Sequence, residues 1–292
     1  MKIMTATLSV ALLAFLPLIA EGGEPTMRIV AAENFYGDMV QQIAGSGANV
    51  SSILSNPNQD PHDFEVSPST ARLIANANLV IYNGADYDPW VETLLNASKS
   101  AIRRTVVAAE LMKRRAGDNP HLWYDPATMP AVARAVAGEL ERADPAHKDD
   151  YETRLEAYLA SLRPLSDKIA ELRRKYADID VTATEPVFGY MARALGFKMR
   201  NESFQISVMN ETEPSSSDVA AFESDLKNRK VRVLFYNSQV IDDLTSRLQN
   251  LARNSKVPVV GVSETEPAGS GYQDWMLNQL VALDKALAGE GS

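Results

Sequence analysis

The feature that most constrains the fold is an alternation of short apolar runs with helical patterns, repeated on both sides of one long helical segment. The apolar runs begin at Met27, Val50, Leu79, Thr105, Val181, Val231 and Val257. The run Leu79–Tyr82 is apolar throughout, which is typical of a strand buried on both faces of a parallel sheet. Strands that alternate with helices in this way predict an α/β fold with mostly parallel sheets.

The segment between the two sets of runs predicts a long helix. It extends from about Pro145 to Tyr176 and contains no glycine, and its apolar residues recur at helical spacing. At 1.5 Å per residue, ~30 residues span roughly 45 Å, the width of a two-lobed protein. Pro164 lies inside the segment and should kink it or divide it in two. We therefore predict two similar α/β lobes, residues 27–143 and 178–292, joined by one long rigid helix over residues 144–177.

The N-terminal residues 1–20 predict a secretory signal peptide. Lys2 precedes an apolar run from Met4 to Ala20, which is short for a spanning helix and is interrupted by Pro17. The sequence has no cysteine to carry the lipid of a bacterial lipoprotein. We therefore expect a periplasmic protein without a lipid anchor.

Composition excludes one class of partner. The formal net charge is −9 at pH 7, and such an acidic chain would be repelled by the phosphates of nucleic acid. Hydrophobic residues make up 45% of the chain, which is enough to fill the cores of two ordinary lobes.

Two of the three histidines stand in similar surroundings. His62 follows a proline in Asp-Pro-His-Asp, and His121 follows a proline in Asn-Pro-His-Leu. A preceding proline stiffens the loop that presents the ring, and a neutral imidazole is the commonest protein ligand for a transition metal. The pair therefore indicates half of a metal site. His147 begins the long helical segment, and we expect it to be exposed and structural.

Carboxylates follow two strands of the second half. Glu185 comes directly after the run at Val181, and Glu264 and Glu266 follow the run at Val257. Ligands of open α/β sheets bind beyond the carboxyl ends of the strands, so a cleft between two such lobes is the expected site. Anionic oxygens offset the charge of a divalent cation, and imidazoles add affinity for a transition metal.

Three motifs resemble those of the zinc- and manganese-binding solute-binding proteins of ABC transporters. They are Pro-His-Asp-Phe-Glu-Val-Ser-Pro at His62, Asn-Pro-His-Leu-Trp-Tyr-Asp-Pro at His121 and Thr-Glu-Pro-Val-Phe-Gly-Tyr at Glu185. The resemblance implies a metal ion held between two lobes on four side chains. Three would be His62, His121 and Glu185. The fourth ligand of that family is usually an aspartate after the last strand. Here Glu264 or Glu266 must take its place, and we favour Glu264 because it comes first after the strand.

The resemblance also implies a function without catalysis. The protein would capture one divalent transition-metal ion, Zn²⁺ or Mn²⁺, and deliver it to an ABC permease in the inner membrane, and we expect it to act as a monomer. Two carboxylates should favour Mn²⁺ or Fe²⁺ more than a three-histidine site would, although Zn²⁺ should bind more tightly in vitro.

Three other functions remain open. A metal-dependent hydrolase could use an open His/His/carboxylate site, but no general base stands in a recognisable motif. A carrier of a metal chelate or of haem would have the same architecture. Some relatives have been described as adhesins, although no feature of this sequence independently supports that role.

Overall fold

The computed structural model describes residues 27–57, 61, 64–240 and 242–289. The predicted signal peptide, residues 1–20, lies outside these described residues, and so does the candidate ligand His62. The helices in the described ranges are all too short or too polar to cross a membrane.

The first lobe is built on a parallel sheet. Its strands are β1 Met27–Glu33, β2 Ala48–Leu54, β3 Leu79–Tyr82 and β4 Arg104–Val107, in the spatial order β2-β1-β3-β4. Its helices are α1 Asn34–Ala44, α2 Pro68–Asn76, α3 Pro89–Ala97, α4 Ala108–Leu111 and α5 Thr128–Ala143. Ser67 caps the N-terminus of helix α2, because its side chain accepts a hydrogen bond from the backbone N–H of Thr70.

The connector consists of two consecutive helices, α6 Lys148–Ser161 and α7 Arg163–Tyr176. The division falls at Leu162, and Pro164 lies in the first turn of α7. A proline is tolerated there because its missing N–H would have had no partner within the helix. The sequence therefore predicted both the position of the connector and its division by Pro164.

The second lobe repeats the plan of the first. Its strands are β5 Asp180–Ala183, β6 Lys198–Arg200, β7 Leu234–Asn237 and β8 Val259–Val262, all parallel, in the order β6-β5-β7-β8. Its helices are α8 Gly189–Ala194, α9 Glu202–Met209, α10 Ser216–Lys227, α11 Asp243–Asn254 and α12 Tyr272–Ala288. The predicted fold class is confirmed: two similar α/β lobes with parallel sheets. The short edge strand β6 has no long apolar run and was not predicted.

One hydrophobic core extends through both lobes. Contacts between aromatic rings extend this core across the boundary between the two lobes. The ring centroid of Phe35 of α1 lies 6.0 Å from that of Trp275 of α12, and Tyr124 meets Phe188 at 5.7 Å and Trp275 at 6.1 Å. A smaller separate core lies under helices α10 and α11. The lobes are therefore packed against each other through close-fitting rings.

Each sheet has the same switch in strand order. The chain runs from β1 to one side and then crosses to β3 on the other side, and β5 and β7 are related in the same way. Crevices at such switch points are the usual ligand sites of open parallel sheets. Glu33 ends β1 and Asn83 directly follows β3, while Glu185 lies just after β5 and Asn237 ends β7. Both switch points thus carry a glutamate and an asparagine.

Candidate metal-binding site

Three of the four proposed ligands lie in the described part of the chain, and all three are buried. His121 belongs to the first lobe, just before a short 3₁₀ helix at Leu122–Tyr124. Glu185 and Glu264 belong to the second lobe, in the loops that follow β5 and β8. Their exposed fractions are 1%, 5% and 0%, respectively. Polar side chains buried this deeply need partners, so their contacts reveal what the site is built to hold.

The His121 ring is oriented by Asn119. Its Nδ1 lies 2.7 Å from Asn119 Oδ1, which also accepts the backbone N–H of His121 at 3.1 Å. The amide nitrogen of Asn119 donates to the carbonyl of Pro186 at 2.8 Å. Because this bond identifies the other amide atom as the oxygen, His121 donates from Nδ1, and the lone pair of the neutral ring then lies on Nε2.

His121 and Glu264 meet across the boundary between the lobes. The Nε2 atom of His121 lies 3.4 Å from Oε2 of Glu264. The loop that carries Glu264 is held by the Gln239 side chain, which accepts the backbone N–H of Glu264 at 2.5 Å and that of Thr265 at 3.2 Å. The Gln239 amide nitrogen also donates to the Thr265 hydroxyl at 2.9 Å. The first carboxylate after β8 is thereby fixed beside the imidazole.

Asn237 joins the two carboxylates. Its Nδ2 donates to Oε2 of Glu185 and to Oε1 of Glu264, at 2.6 Å in each case. Both distances are short for N–H···O bonds. Two carboxylates brought together in a buried site need compensating positive character, and here the amide hydrogens supply part of it.

Glu266 lies in different surroundings from Glu264. Its backbone N–H donates to Asn34 Oδ1 at 3.1 Å, and its carbonyl accepts from Asn34 Nδ2 at 2.7 Å. Burial raises the pKa of its carboxyl to about 8, and the charge of Asp38 adds to the effect. A carboxyl with that pKa is mostly protonated at neutral pH. Of the two candidates for the fourth ligand, Glu264 is therefore the one that the structure brings to His121.

A second carboxyl pair, which the sequence did not indicate as part of a site, lies under the first-lobe switch point. The side chains of Glu33 and Asp88 are both buried. Burial and the charge of Asp88 raise the pKa of Glu33 well above its ordinary value. Burial raises the pKa of Asp88 to about 6, although the backbone N–H groups of Asn83 and Gly84 donate to it at 2.6 and 2.7 Å. Two adjacent buried carboxyls cannot both ionise at low cost, and Glu33 is the one that keeps its proton.

A tight turn precedes Tyr87, a buried tyrosine whose pKa responds to this pair and to Glu264. Gly84, Ala85 and Asp86 all have left-handed backbone conformations, with φ of 74°, 53° and 64°. Burial is the main cause that raises the pKa of the Tyr87 hydroxyl, and the charge of Glu264 follows as the next cause. The phenol is thus a hydroxyl beside Glu264 rather than a phenolate, and it is a further side chain of this site that the sequence did not indicate.

The sequence considerations also missed Asn237 and Asn83, although a repeated sequence pattern could have pointed to them. Each asparagine follows a tyrosine at the end of the third strand of its lobe, in Ile-Tyr-Asn and Phe-Tyr-Asn. Asn83 accepts a hydrogen bond from the Tyr36 hydroxyl at 2.9 Å and donates to the carbonyl of Pro120 at 2.7 Å, which supports the segment before His121. A comparison of the two halves would have identified this repeated dipeptide.

The described residues do not by themselves form a complete metal cage. No group of three histidine, cysteine, aspartate or glutamate side chains within residues 27–57, 61, 64–240 and 242–289 is arranged to hold a metal ion. The arrangement that they do form is a buried imidazole facing one carboxylate of an amide-linked pair. His147 does not belong to this arrangement. Its side chain is 60% exposed, and its Nδ1 lies 2.7 Å from Oδ2 of Asp144.

Two parallel α/β lobes with a helical connector, and a buried polar site where they meet, define a bilobed binding protein. The chain belongs to the ZnuA family, described as zinc-uptake complex component A, periplasmic, whose family model matches residues 29–286. Members of this family are extracytoplasmic substrate-binding proteins of metal ABC transporters and are not enzymes, so the hydrolase alternative is not supported.

Relatives of known name agree with this assignment. The metal ABC transporter substrate-binding lipoprotein ScbA of Streptococcus cristatus is 26% identical, over 95% of this chain and 96% of its own length. The manganese ABC transporter substrate-binding lipoprotein PsaA of Streptococcus mitis is 23% identical, over 90% of this chain and 89% of its own. The structure of the periplasmic zinc-binding protein TroA from Treponema pallidum superimposes with a TM-score of 0.74 at 19% identity, covering 90% of this chain and 99% of that one.

Proposed function

We propose that this protein binds one divalent transition-metal ion, Zn²⁺ or Mn²⁺, between its lobes and delivers it to the permease of an ABC transporter. The observation that carries the proposal is the 3.4 Å approach of His121 Nε2 to Glu264 Oε2, two buried groups from different lobes. Imidazole nitrogen and carboxylate oxygen are the donors that such ions take from proteins. A cation at this position would replace a contact between two acceptor atoms by two metal–ligand bonds.

The proposed ligands are His62, His121, Glu185 and Glu264. His62 lies outside the described residues, but its neighbours support its inclusion. Pro61 and Phe64 line a small cavity together with Asn56 and Thr265, the residue that follows Glu264. Pro61 and Phe64, on either side of His62 in the sequence, therefore lie near the residue that follows Glu264. Glu185 is included because Asn237 holds it in one hydrogen-bonded group with Glu264.

The identity of the ion is proposed from donor chemistry and from relatives. PsaA is named for manganese and TroA for zinc. With two nitrogen and two oxygen donors, Zn²⁺ should bind more tightly than Mn²⁺ in vitro, in accordance with the usual order of divalent metals. The ion carried in the cell then depends on availability and on which complex the permease accepts.

Location, attachment and assembly are proposals as well. The relatives ScbA and PsaA are named lipoproteins, which conflicts with our expectation of a protein without a lipid anchor. We propose a periplasmic protein that acts as a monomer. Phase partitioning of bacterial extracts would separate a free protein from a lipid-modified one.

Metal titration of ligand variants tests the proposed site. The protein is stripped with a chelator, and Zn²⁺ and Mn²⁺ affinities are measured by competition with indicator chelators. We expect His62→Ala, His121→Ala, Glu185→Gln and Glu264→Gln each to lose orders of magnitude in affinity, because each removes one of four metal bonds.

Two matched controls accompany the ligand variants. His147→Ala removes an exposed histidine, and Glu266→Gln changes the carboxyl that lies two residues beyond Glu264; both should bind metal like the wild type. Wild-type affinity in His121→Ala or in Glu264→Gln would overturn the proposed site. Bound metal in the purified protein, identified by mass spectrometry with its stoichiometry, gives an independent check.

A further inference from the structure

We propose that a cavity between the two lobes, separate from the candidate metal site, binds a small organic cation with an apolar body. The cavity has a volume of about 410 Å³, which lies within the range of roughly 300–1,000 Å³ that is usual for small-molecule sites. None of the described residues that line it is a proposed metal ligand. The inference therefore goes beyond the proposed function and does not need a bound metal ion.

Both lobes contribute walls to this cavity. The first lobe supplies two loop segments, and the second lobe supplies parts of helices α8 and α9. Two of the lining residues are joined across the boundary, because the amide nitrogen of Asn119 donates to the carbonyl of Pro186 at 2.8 Å. The two loop segments are joined as well, since the Asp86 carboxylate accepts the backbone N–H of Gly117 at 3.1 Å. These bonds hold the walls in place without a ligand, as is usual for small-molecule sites.

Part of the lining is apolar. It includes Phe197, Met199, Ile206 and Met209, and the side chain of Ile206 is 48% exposed. An apolar ligand that covers such side chains removes their surface from water, which favours binding. The flexible thioether side chains of the two methionines can adapt to the shape of a ligand. The lining therefore suits an organic molecule rather than a bare metal ion, which needs several oxygen or nitrogen donors.

The charges of the lining favour a cation. Three carboxylates, those of Asp86, Asp118 and Glu202, line the cavity against one guanidinium, that of Arg193. The guanidinium carbon of Arg193 lies 5.5 Å from the ring centroid of Tyr190, so this cation already has an aromatic neighbour. Three negative charges against one positive charge leave an excess of two negative charges around the cavity. Such a cavity attracts cations and repels anions of the same shape.

Three indole compounds of similar size test the inference. At neutral pH tryptamine is a cation, tryptophol is uncharged and indole-3-acetate is an anion. Their binding to the chelator-treated protein is measured by ligand-detected NMR titration, so that the result does not depend on a metal ion. We expect tryptamine to bind with a dissociation constant of about 1 mM or below, a value in keeping with so small a ligand. Tryptophol should bind more weakly, and indole-3-acetate should bind about tenfold more weakly than tryptamine or worse.

Two variants of lining residues separate the effect of charge from that of apolar contact. Glu202 and Ile206 both lie on α9 and are exposed, so each can be replaced without disturbing the core. Glu202→Gln should weaken tryptamine binding by about threefold, as expected for an exposed charge pair, and should leave tryptophol unaffected. Ile206→Ser should weaken both compounds, because both lose the same apolar contact. A general disturbance of the fold would not distinguish the two compounds in this way.

Glu152→Gln and Ile102→Ser are the matched controls. Each replaces an exposed side chain of the same type that does not line the cavity, and both variants should bind the three compounds like the wild type. Absence of binding by all three compounds would overturn the inference, and so would equal affinities for tryptamine and indole-3-acetate. Wild-type affinity for tryptamine in both lining variants would also overturn it, because the compound would then bind elsewhere. Any of these outcomes would leave the proposed metal site intact.

Discussion

At the scale of single residues, the candidate site depends on the side chains that hold the proposed ligands as much as on those ligands. Asn119 orients the ring of His121. Gln239 holds the loop that carries Glu264, and Asn237 links Glu264 to Glu185. All three of these residues act through a side-chain amide, which can donate and accept hydrogen bonds at the same time. An amide can therefore orient a ligand on one side while it anchors itself on the other, without adding a charge to the site.

The role of Asn119 leads to a prediction for His121. Asn119→Ala removes the acceptor for Nδ1 of His121, so the ring loses its preferred orientation. We expect metal affinity to fall by about 10- to 100-fold. Asn119→Asp keeps an acceptor for the ring but loses the N–H to the Pro186 carbonyl, and it should retain most of the affinity. Competition titration measures both variants; wild-type affinity in Asn119→Ala would contradict the assigned role.

At the scale of the elements, the connector is fastened to the last helix by a charged cluster. Asp284 of α12 lies 2.5 Å from Lys168 Nζ and 3.2 Å from Lys175 Nζ, and it accepts from the Tyr176 hydroxyl at 3.1 Å. Burial alone would raise the pKa of Asp284, but these hydrogen bonds outweigh it and lower the pKa below the usual value of 3.8. The ionised carboxylate therefore stabilises the contact between α7 and α12.

This cluster predicts a pH-dependent stability. Asp284→Asn should lower the free energy of unfolding by about 1 kcal/mol at neutral pH. Because the folded-state pKa is depressed, the contribution is fully present above the unfolded-state pKa and is lost as the pH falls through the folded-state value. The difference between wild type and variant should thus shrink toward acid pH. Urea unfolding at a series of pH values from 7 downward measures this difference in the free energy of unfolding.

An exposed pair on the neighbouring helix serves as the control for Asp284. Glu152 and Lys148 of α6 lie 3.1 Å apart, and both are about half exposed. Glu152→Gln should leave the unfolding free energy almost unchanged, because exposed ion pairs contribute little. Equal stability of Asp284→Asn and the wild type at every pH would show that the connector does not depend on this cluster.

At the scale of the whole molecule, the two lobes are held by more than the connector. The Tyr272 hydroxyl donates to the Trp123 carbonyl at 2.7 Å, and the Tyr190 hydroxyl donates to the Asn119 carbonyl at 2.8 Å. The shared aromatic core adds close packing to these bonds. Packed interfaces of this kind resist gradual deformation, so metal capture should require only small tilts of the lobes and ordering of loops.

Small-angle scattering checks this expectation. The radius of gyration of the chelator-treated protein should remain the same within error after saturation with Zn²⁺, and an equal concentration of Mg²⁺ serves as the control ion. The physical reason is that a large movement of one lobe against the other would have to break the contacts of the Tyr124 ring with the rings of Phe188 and Trp275. A change of several ångströms on binding Zn²⁺ would mean that the interface between the lobes opens.

The sequence by itself determined the architecture and most of the candidate ligands. Apolar runs such as Leu79–Tyr82 specify buried strands because a parallel sheet covered on both faces excludes polar side chains. Pro164 specifies the division of the connector because a proline cannot continue the backbone hydrogen bonds of a helix. Glu185 and Glu264 could be proposed because the ends of parallel strands lie at one edge of a sheet, and His121 could be proposed because it follows a proline in a motif similar to that of His62.

Only the tertiary structure decided how those side chains are held and which carboxylates lie together. Glu264 and Glu266 are two residues apart, yet one faces His121 and the other is tied to Asn34 through its backbone. The link through Asn237 and the buried pair of Glu33 and Asp88 likewise join residues distant in the chain. Hydrogen bonds and pKa shifts depend on distances of a few ångströms between such residues, and those distances are set by the packing of the two lobes rather than by any local pattern.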